Sequence, residues 1–329
     1  LHAIAKKHGW WDPKKGKLDW LRAISLGGEA LHPYATLRRI WRLQSKIAPS
    51  LKLSPWAKNG FTRQYPFSIK PDEKMKVLDV INLYRDYYQG TEFDQSKGIT
   101  AGPFGNPYRY QVHAHASDGT AAGNAKLKGA WERTLSIYRS GYTFVLQARS
   151  WLPDPIGGVV WFAPDESMSS VITPFYVGAL DPVPKPYYTG FSDKFDQGSV
   201  WWAFNFVANW AALKYSYIIQ DIKEKQAELE LAAIEGTKAI EKSALELYKN
   251  DPEQAKALLG EFSRNTAMNV YHAWWKLAWK LVAKYSDGYV NEPGKMAQEV
   301  GYPKEWYKRS EWKNGPTKYR KPKKIHPGD

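Results

Sequence analysis

Tyr142-Thr143-Phe144-Val145-Leu146-Gln147-Ala148, followed after a short turn by Gly158-Val159-Val160-Trp161-Phe162, decides the fold class. Both runs are short, rich in β-branched and aromatic residues, and bounded by Gly, Pro and Asp, the pattern of strands. Thr134–Tyr138 and Ser170–Phe175 have the same character, so the four segments predict consecutive strands of one sheet. On either side the periodicity changes. Upstream, Leu18–Leu26 and Leu37–Ile47 carry apolar residues at helical spacing, and Trp10-Trp11-Asp12-Pro13-Lys14-Lys15-Gly16 marks a turn. Downstream, the helical pattern holds from Val200 to about Tyr285. Helices, then strands, then helices describe an α+β chain. The expected divisions are helices over 1–50, mixed α/β over 51–199, helical over 200–286 and a basic tail over 303–329. No Pro- or Ser-rich linker splits residues 1–302, which predicts one structural unit.

Finer expectations follow from local signals. Phe67–Lys70 reads as a short strand before a Pro71 turn. Asp72 then precedes a helix over about Glu73–Tyr88, with Val77, Val80, Ile81 and Tyr84 on one face and Gly90 as its C-cap. The first long helix after Val200 has Gly236 as its expected break. Asp251-Pro252 restarts the helix as N-cap and first helical residue. Met268, Tyr271, Trp275, Ala278 and Leu281 form an apolar stripe that reads as core.

Composition bounds the function. With 43% apolar and 24% charged residues over 329 positions, the chain can bury a substantial core, which excludes global disorder. No run of about 18 apolar residues is present, so no membrane-spanning helix is expected. Cysteine is absent, which removes disulfides, thiolate metal sites and a cysteine nucleophile from this chain. The net charge of +14 would attract a polyanion. Residues 303–329 hold nine Lys/Arg and three Asp/Glu, either a solvated tail or a nucleic-acid arm. The 16 Trp, 21 Tyr and 12 Phe could stack bases, but most lie in apolar runs such as Trp201-Trp202-Ala203-Phe204, where core packing accounts for them better.

Few residues announce chemistry by themselves. His113 and His115 would share one face of a strand, yet a third metal ligand at suitable spacing is missing. Gly102-Pro103-Phe104-Gly105-Asn106-Pro107 is glycine-rich, but its two prolines remove amide donors that a phosphate cradle needs. It reads as a rigid loop, lining a cleft or simply turning the chain. No Gly-x-Ser-x-Gly elbow is present. Nothing makes Asp154 and Asp165 face each other, and Asp154, between two prolines, reads as a turn residue. Arg38, Arg39 and Arg42 share a predicted helix with aromatic neighbours, and Arg149 precedes Trp151. Carboxylate binding and stacking on Trp both remain open for these guanidiniums.

A set of motifs taken in order is more specific. Tyr88-Gln89-Gly90-Thr91-Glu92-Phe93-Asp94, Lys97-Gly98 and Ala101 to Pro107 resemble the PepD-type dipeptidases, N-terminal-nucleophile hydrolases related to the secernins. Arg149-Ser150-Trp151-Leu152-Pro153-Asp154-Pro155-Ile156-Gly157-Gly158 and Trp161-Phe162-Ala163-Pro164-Asp165 continue the series. So do Pro174 to Gly178, Ser199 to Trp210, Ala273 to Leu277 and Gly301 to Trp306.

The resemblance implies a four-layer αββα sandwich with, here, a long helical C-terminal region. It implies dipeptide hydrolysis by a cysteine exposed as the mature N-terminal residue, whose α-amino group is the base, without a cofactor. With no cysteine present, residues 1–302 correspond to the C-terminal portion of such an enzyme, and Leu1 reads as a processed or truncated start. The implied partners are an N-terminal chain of the same precursor and a dipeptide, with a homo-oligomer also open. An extracytoplasmic location is the implied one. Arg39-Ile40-Trp41-Arg42 resembles the family's Arg-Val-Trp-Arg, so Arg39 is the implied catalytic-site residue. Asn106, Arg149, Asn205 and Asn209 are candidate substrate contacts, because they lie in the strongest motifs. Two other readings stand beside this one. The chain could be a nucleophile-less descendant serving as a structural or peptide-binding subunit, or a nucleic-acid-associated protein acting through its tail.

Overall fold

Three strands form one antiparallel sheet in the order β1 (Tyr142–Ala148), β2 (Gly158–Pro164), β3 (Thr173–Tyr176). The computed structural model describes residues 1–24, 34–57, 62–108 and 133–310. In the sheet Phe144 pairs with Phe162, and Val160 with Phe175. Ser170 stands outside β3 because its hydroxyl turns back to the Glu166 carbonyl at 2.6 Å. Thr134–Tyr138 is not a strand. Its Thr134 hydroxyl bonds the Ser136 carbonyl and the Ser136 amide bonds the Asp86 carbonyl, local contacts that compete with a ladder. Phe67–Lys70 is likewise unpaired and Phe67 is fully exposed, so no neighbour completes a strand there.

Alternation gives the sheet two different faces. Thr143, Val159, Trp161 and Ala163 point into a core shared with Ile81, Ile156, Ile172, Ala233 and Leu259. Tyr142, Phe144 and Leu146 point the other way, and they are 59%, 45% and 67% exposed. This inverts the usual antiparallel arrangement, in which the face turned to water is polar.

Among the described residues the helices are α1 (His2–Lys7), α2 (Trp20–Ile24), α3 (Tyr34–Ile47), α4 (Val77–Tyr84) and the single turn α5 (Asp154–Gly157). They continue as α6 (Val200–Ala211), α7 (Tyr215–Tyr248), α8 (Pro252–Lys284) and α9 (Lys304–Arg309). Helix α4 is shorter than expected at both ends. Asp72 holds the Ser50 amide and hydroxyl at 2.9 and 2.6 Å, and Asp79 instead caps the Lys76 amide at 2.7 Å. After Tyr84, Arg85 and Asp86 leave the helix for ion pairs elsewhere, and Gly90, at φ +76°, belongs to a later turn.

Helix α7 runs unbroken through Gly236. A Cβ there would lie 2.9 Å from the Phe262 ring of α8, so this glycine lets two long helices approach closely. The chain breaks on either side of α7 instead. After the second break the Asp251 carboxylate caps the Gln254 amide at 2.9 Å, with Pro252 first in α8, as its sequence signals. Trp275, Ala278 and Leu281 are buried as the apolar stripe predicts, and Trp274 stacks on Phe204 of α6 at 4.5 Å. Such a pair adds about 1 kcal/mol beyond the area it buries. Helix α9 opens the 303–329 segment, and Tyr307 meets Tyr302, which in turn meets Phe104. His113, His115 and the tail past Ser310 lie outside the described residues.

Candidate active site

Helix α3 carries its basic residues one turn apart, so Arg38, Arg42 and Lys46 fall on neighbouring positions of one side. The segment that follows α4 packs onto them. Asp86, fully buried, accepts from Arg42 Nε at 2.9 and 3.0 Å and from Lys46 Nζ at 3.1 Å. Arg42 also donates to the Gln89 carbonyl at 2.8 Å. Arg38 is buried with its guanidinium 3.5 Å from the centre of the Phe93 ring. The arginine helix and the Tyr88–Asp94 motif, read separately in the sequence, thus form one unit.

Arg39 is half-buried beside Tyr88 and Arg133. Burial, then the charge of Arg133, lowers its pKa from the ordinary arginine value. A guanidinium stays protonated under such shifts, so the group is a fixed cation. Tyr88 holds a left-handed backbone at φ +67°, its amide donates to Asp86 at 2.8 Å, and its hydroxyl donates to the Arg133 carbonyl at 2.6 Å.

A chain of polar contacts leads from here across the molecule. The Ser136 amide donates to the Asp86 carbonyl at 3.0 Å, and the Ser136 hydroxyl meets Tyr108 at 2.8 Å. Tyr108 lies beside Glu166. Asn205 donates to Asp165 at 3.3 Å, and Asn209 donates to the Asn205 side chain at 3.0 Å. Asn106 joins at Tyr108, whose amide it accepts at 2.9 Å. Three of the five sequence candidates, Asn106, Asn205 and Asn209, therefore join this chain of contacts, and Arg39 stands beside its Tyr88 end. Arg149 is elsewhere, its guanidinium donating to Glu241 at 2.8 and 2.7 Å and to the Ile156 carbonyl at 2.7 Å. A substrate carboxylate there would have to displace Glu241.

Asp165 and Glu166 are 1% and 2% exposed. Burial pushes the Asp165 carboxyl up to about 7, and burial together with its neighbour's charge pushes Glu166 up to about 8. No cluster of three His, Cys, Asp or Glu side chains among the described residues would hold a metal ion.

The model of peptidase family C69 matches residues 1–228. The chain belongs to peptidase family C69, that of the PepD-type dipeptidases. Within this C69 chain the matched stretch contains α3, the whole polar network and the sheet, whereas α8 lies beyond it. A protein of Salmonella dublin named "Probable dipeptidase" is 31% identical over 180 residues, 54% of this chain and 34% of that protein. A Latilactobacillus sakei protein of the same name is 24% identical over 143 residues, 44% of this chain and 24% of that one. The matched stretch thus spans about a third or less of these curated relatives.

Glu166 was missed as a candidate in this C69 sequence. Its signal is two adjacent acids between the apolar run Val159–Ala163 and Met168, a place where a solvated turn is hard to build. Asp86 was missed because its partners lie about 40 positions upstream, at separations of 44 and 40 residues.

Proposed function

We propose that this chain is part of a cysteine-type dipeptidase whose nucleophile, an N-terminal cysteine, comes from a segment outside these 329 residues. The observation that carries the reading is the exposed apolar sheet face of Tyr142, Phe144 and Leu146. A face of that kind suits sheet-on-sheet packing, and a second sheet laid across it would complete an αββα sandwich. Family membership and the relatives' printed names support dipeptide hydrolysis. The absence of cysteine supports a nucleophile from elsewhere.

In this reading Arg39 faces the nucleophile as a fixed positive charge that favours the thiolate and orients it. Asn106, Asn205 and Asn209 offer amide groups to the dipeptide backbone, and Arg149 stays paired with Glu241 unless substrate displaces it. The same absence of cysteine favours a second reading, a nucleophile-less peptide-binding or structural subunit.

Denaturing intact mass spectrometry with N-terminal sequencing of the natively purified protein separates the two. A co-purifying polypeptide that begins with cysteine, and dipeptidase activity abolished by alkylating it, is the expected result. A homogeneous 37.7 kDa species that binds dipeptides without hydrolysing them would leave the second reading in place.

A further inference from the structure

Asp165 and Glu166 are consecutive, buried and without a lysine or arginine partner among the described residues. Among the described residues, Asp165 Oδ2 and Glu166 Oε2 have no hydrogen-bond partner, and neither has the Tyr215 hydroxyl. The chain enters this pair in a left-handed conformation, with Asp165 at φ +60° and its amide bonded to the Gly141 carbonyl at 2.8 Å. Two adjacent carboxylates so deeply buried repel each other and face no charged partner among the described residues, so a proton on the pair is the simplest means of neutralising it. A protonated carboxyl is also a donor, which gives an orphaned oxygen a way to bond a nearby hydroxyl.

We propose that Asp165 and Glu166 form a proton-dependent latch. While the pair holds a proton it fastens the Gly102–Tyr108 loop to the start of helix α7, and ionisation of both carboxyls loosens that attachment. Each element packed around Glu166 contributes a named group. Tyr108 comes from the loop and Tyr215 from α7, and both hydroxyls are pushed well above the ordinary tyrosine value by burial and then by Glu166. Ser169, at 2.6 Å from Glu166, and Asn205 of α6 are the neutral hydrogen-bond donors. Arg85 reaches the Ser167 and Ser170 carbonyls behind the pair, but Glu230 already neutralises it. Tyr87 stands beyond Tyr215, flanked by Asp86 and Asp94, so no unneutralised cation faces the pair among the described residues.

The loop is tied to α7 by the Ser216 amide, which donates to the Phe104 carbonyl at 3.1 Å. Phe104, Gly105 and Tyr215 also line one groove of about 450 Å³, so loosening the latch would reshape it.

Amide hydrogen exchange on the full 329-residue chain tests the latch, read at Ser216, Asn106 and Tyr108 as the ratio of wild type to Glu166→Gln. Protection in the wild type should fall up to about tenfold per pH unit between about pH 5 and 8 relative to the variant, then level off. Infrared spectra of the wild type should show a protonated buried carboxyl at about pH 6 that fades by about pH 9, a readout that survives a misfolded variant. Parallel pH profiles of the two proteins, or no protonated carboxyl at about pH 6, would overturn the proposal. So would protection that rises with added sodium, potassium or calcium chloride in the wild type alone, because a cation would then be neutralising the pair.

Discussion

Arg149 and Glu241 meet through two parallel N–H···O bonds of 2.8 and 2.7 Å, joining the turn after β1 to the C-terminal third of helix α7. The Tyr176 hydroxyl donates to the same carboxylate at 2.7 Å, so strand β3 is tied in as well. Both charged side chains are mostly buried. Removing one partner leaves the other charge desolvated, and Arg149→Ala is expected to cost about 3 kcal/mol in urea unfolding. Arg149→Lys should recover less than half of that, because an ammonium lacks the planar fork. A loss below about 1 kcal/mol for Arg149→Ala would show that the pair behaves like a solvated surface bridge.

Gly260 packs where a side chain cannot. A Cβ built there lies 1.8 Å from the Leu180 carbonyl oxygen, a backbone atom that cannot swing aside. Alanine in mid-helix ordinarily stabilises by about 1 kcal/mol over glycine. Here the collision should dominate, so Gly260→Ala is expected to lower stability by about 1–3 kcal/mol and reduce the thermal midpoint. A stabilised variant would mean that the 179–181 loop moves freely away from α8.

Elements whose evidence is local are legible in the sequence. Tyr142–Ala148 alternates between bounding turns, and Asp251-Pro252 is a self-contained helix start, so both stand where the sequence places them. Gly236 was misread because its role depends on Phe262, a residue on another helix. Thr134–Tyr138 has strand-like composition, yet Ser and Thr hydroxyls and the Asp86 carbonyl satisfy it differently. The candidate site was legible in part for the same reason. Arg39 and the asparagines stand in quotable motifs, whereas the Arg85–Glu230 pair spans 145 positions and leaves no local trace.

Arg39 gives the functional reading its sharpest kinetic test. In the proposed dipeptidase, assembled with the cysteine-bearing segment that reading requires, Arg39→Lys should keep a charge but lose the guanidinium geometry. A fall in kcat/KM of about 10²-fold is expected, within the range for losing one positioned electrostatic group. The readout that separates catalysis from folding is the alkylation rate of the nucleophile as a function of pH. Its apparent thiol pKa should rise in the variant, because a nearby cation favours the thiolate. An unchanged alkylation profile with unchanged kcat/KM would remove Arg39 from the site.

The acidic pair makes a second, global prediction whose sign is fixed. Asp165 and Glu166 titrate near 7 and 8 in the folded chain, against ordinary values of 3.8 and 4.5. The folded state therefore binds more protons than the unfolded one between those limits, and stability falls as pH rises. The contribution is fully present below about pH 4, declines through pH 5–8 and is gone above about pH 8. Glu292 and Glu305, lowered by Lys284 and Lys308, slope the other way but only below the ordinary glutamate range. Urea unfolding of the wild type should thus lose a few kcal/mol between about pH 5 and 8. The Asp165→Asn/Glu166→Gln double variant should be nearly flat over that window and should overtake the wild type at its alkaline end. A wild type whose stability stays flat across the same interval would mean that both carboxylates are ionised in the folded core.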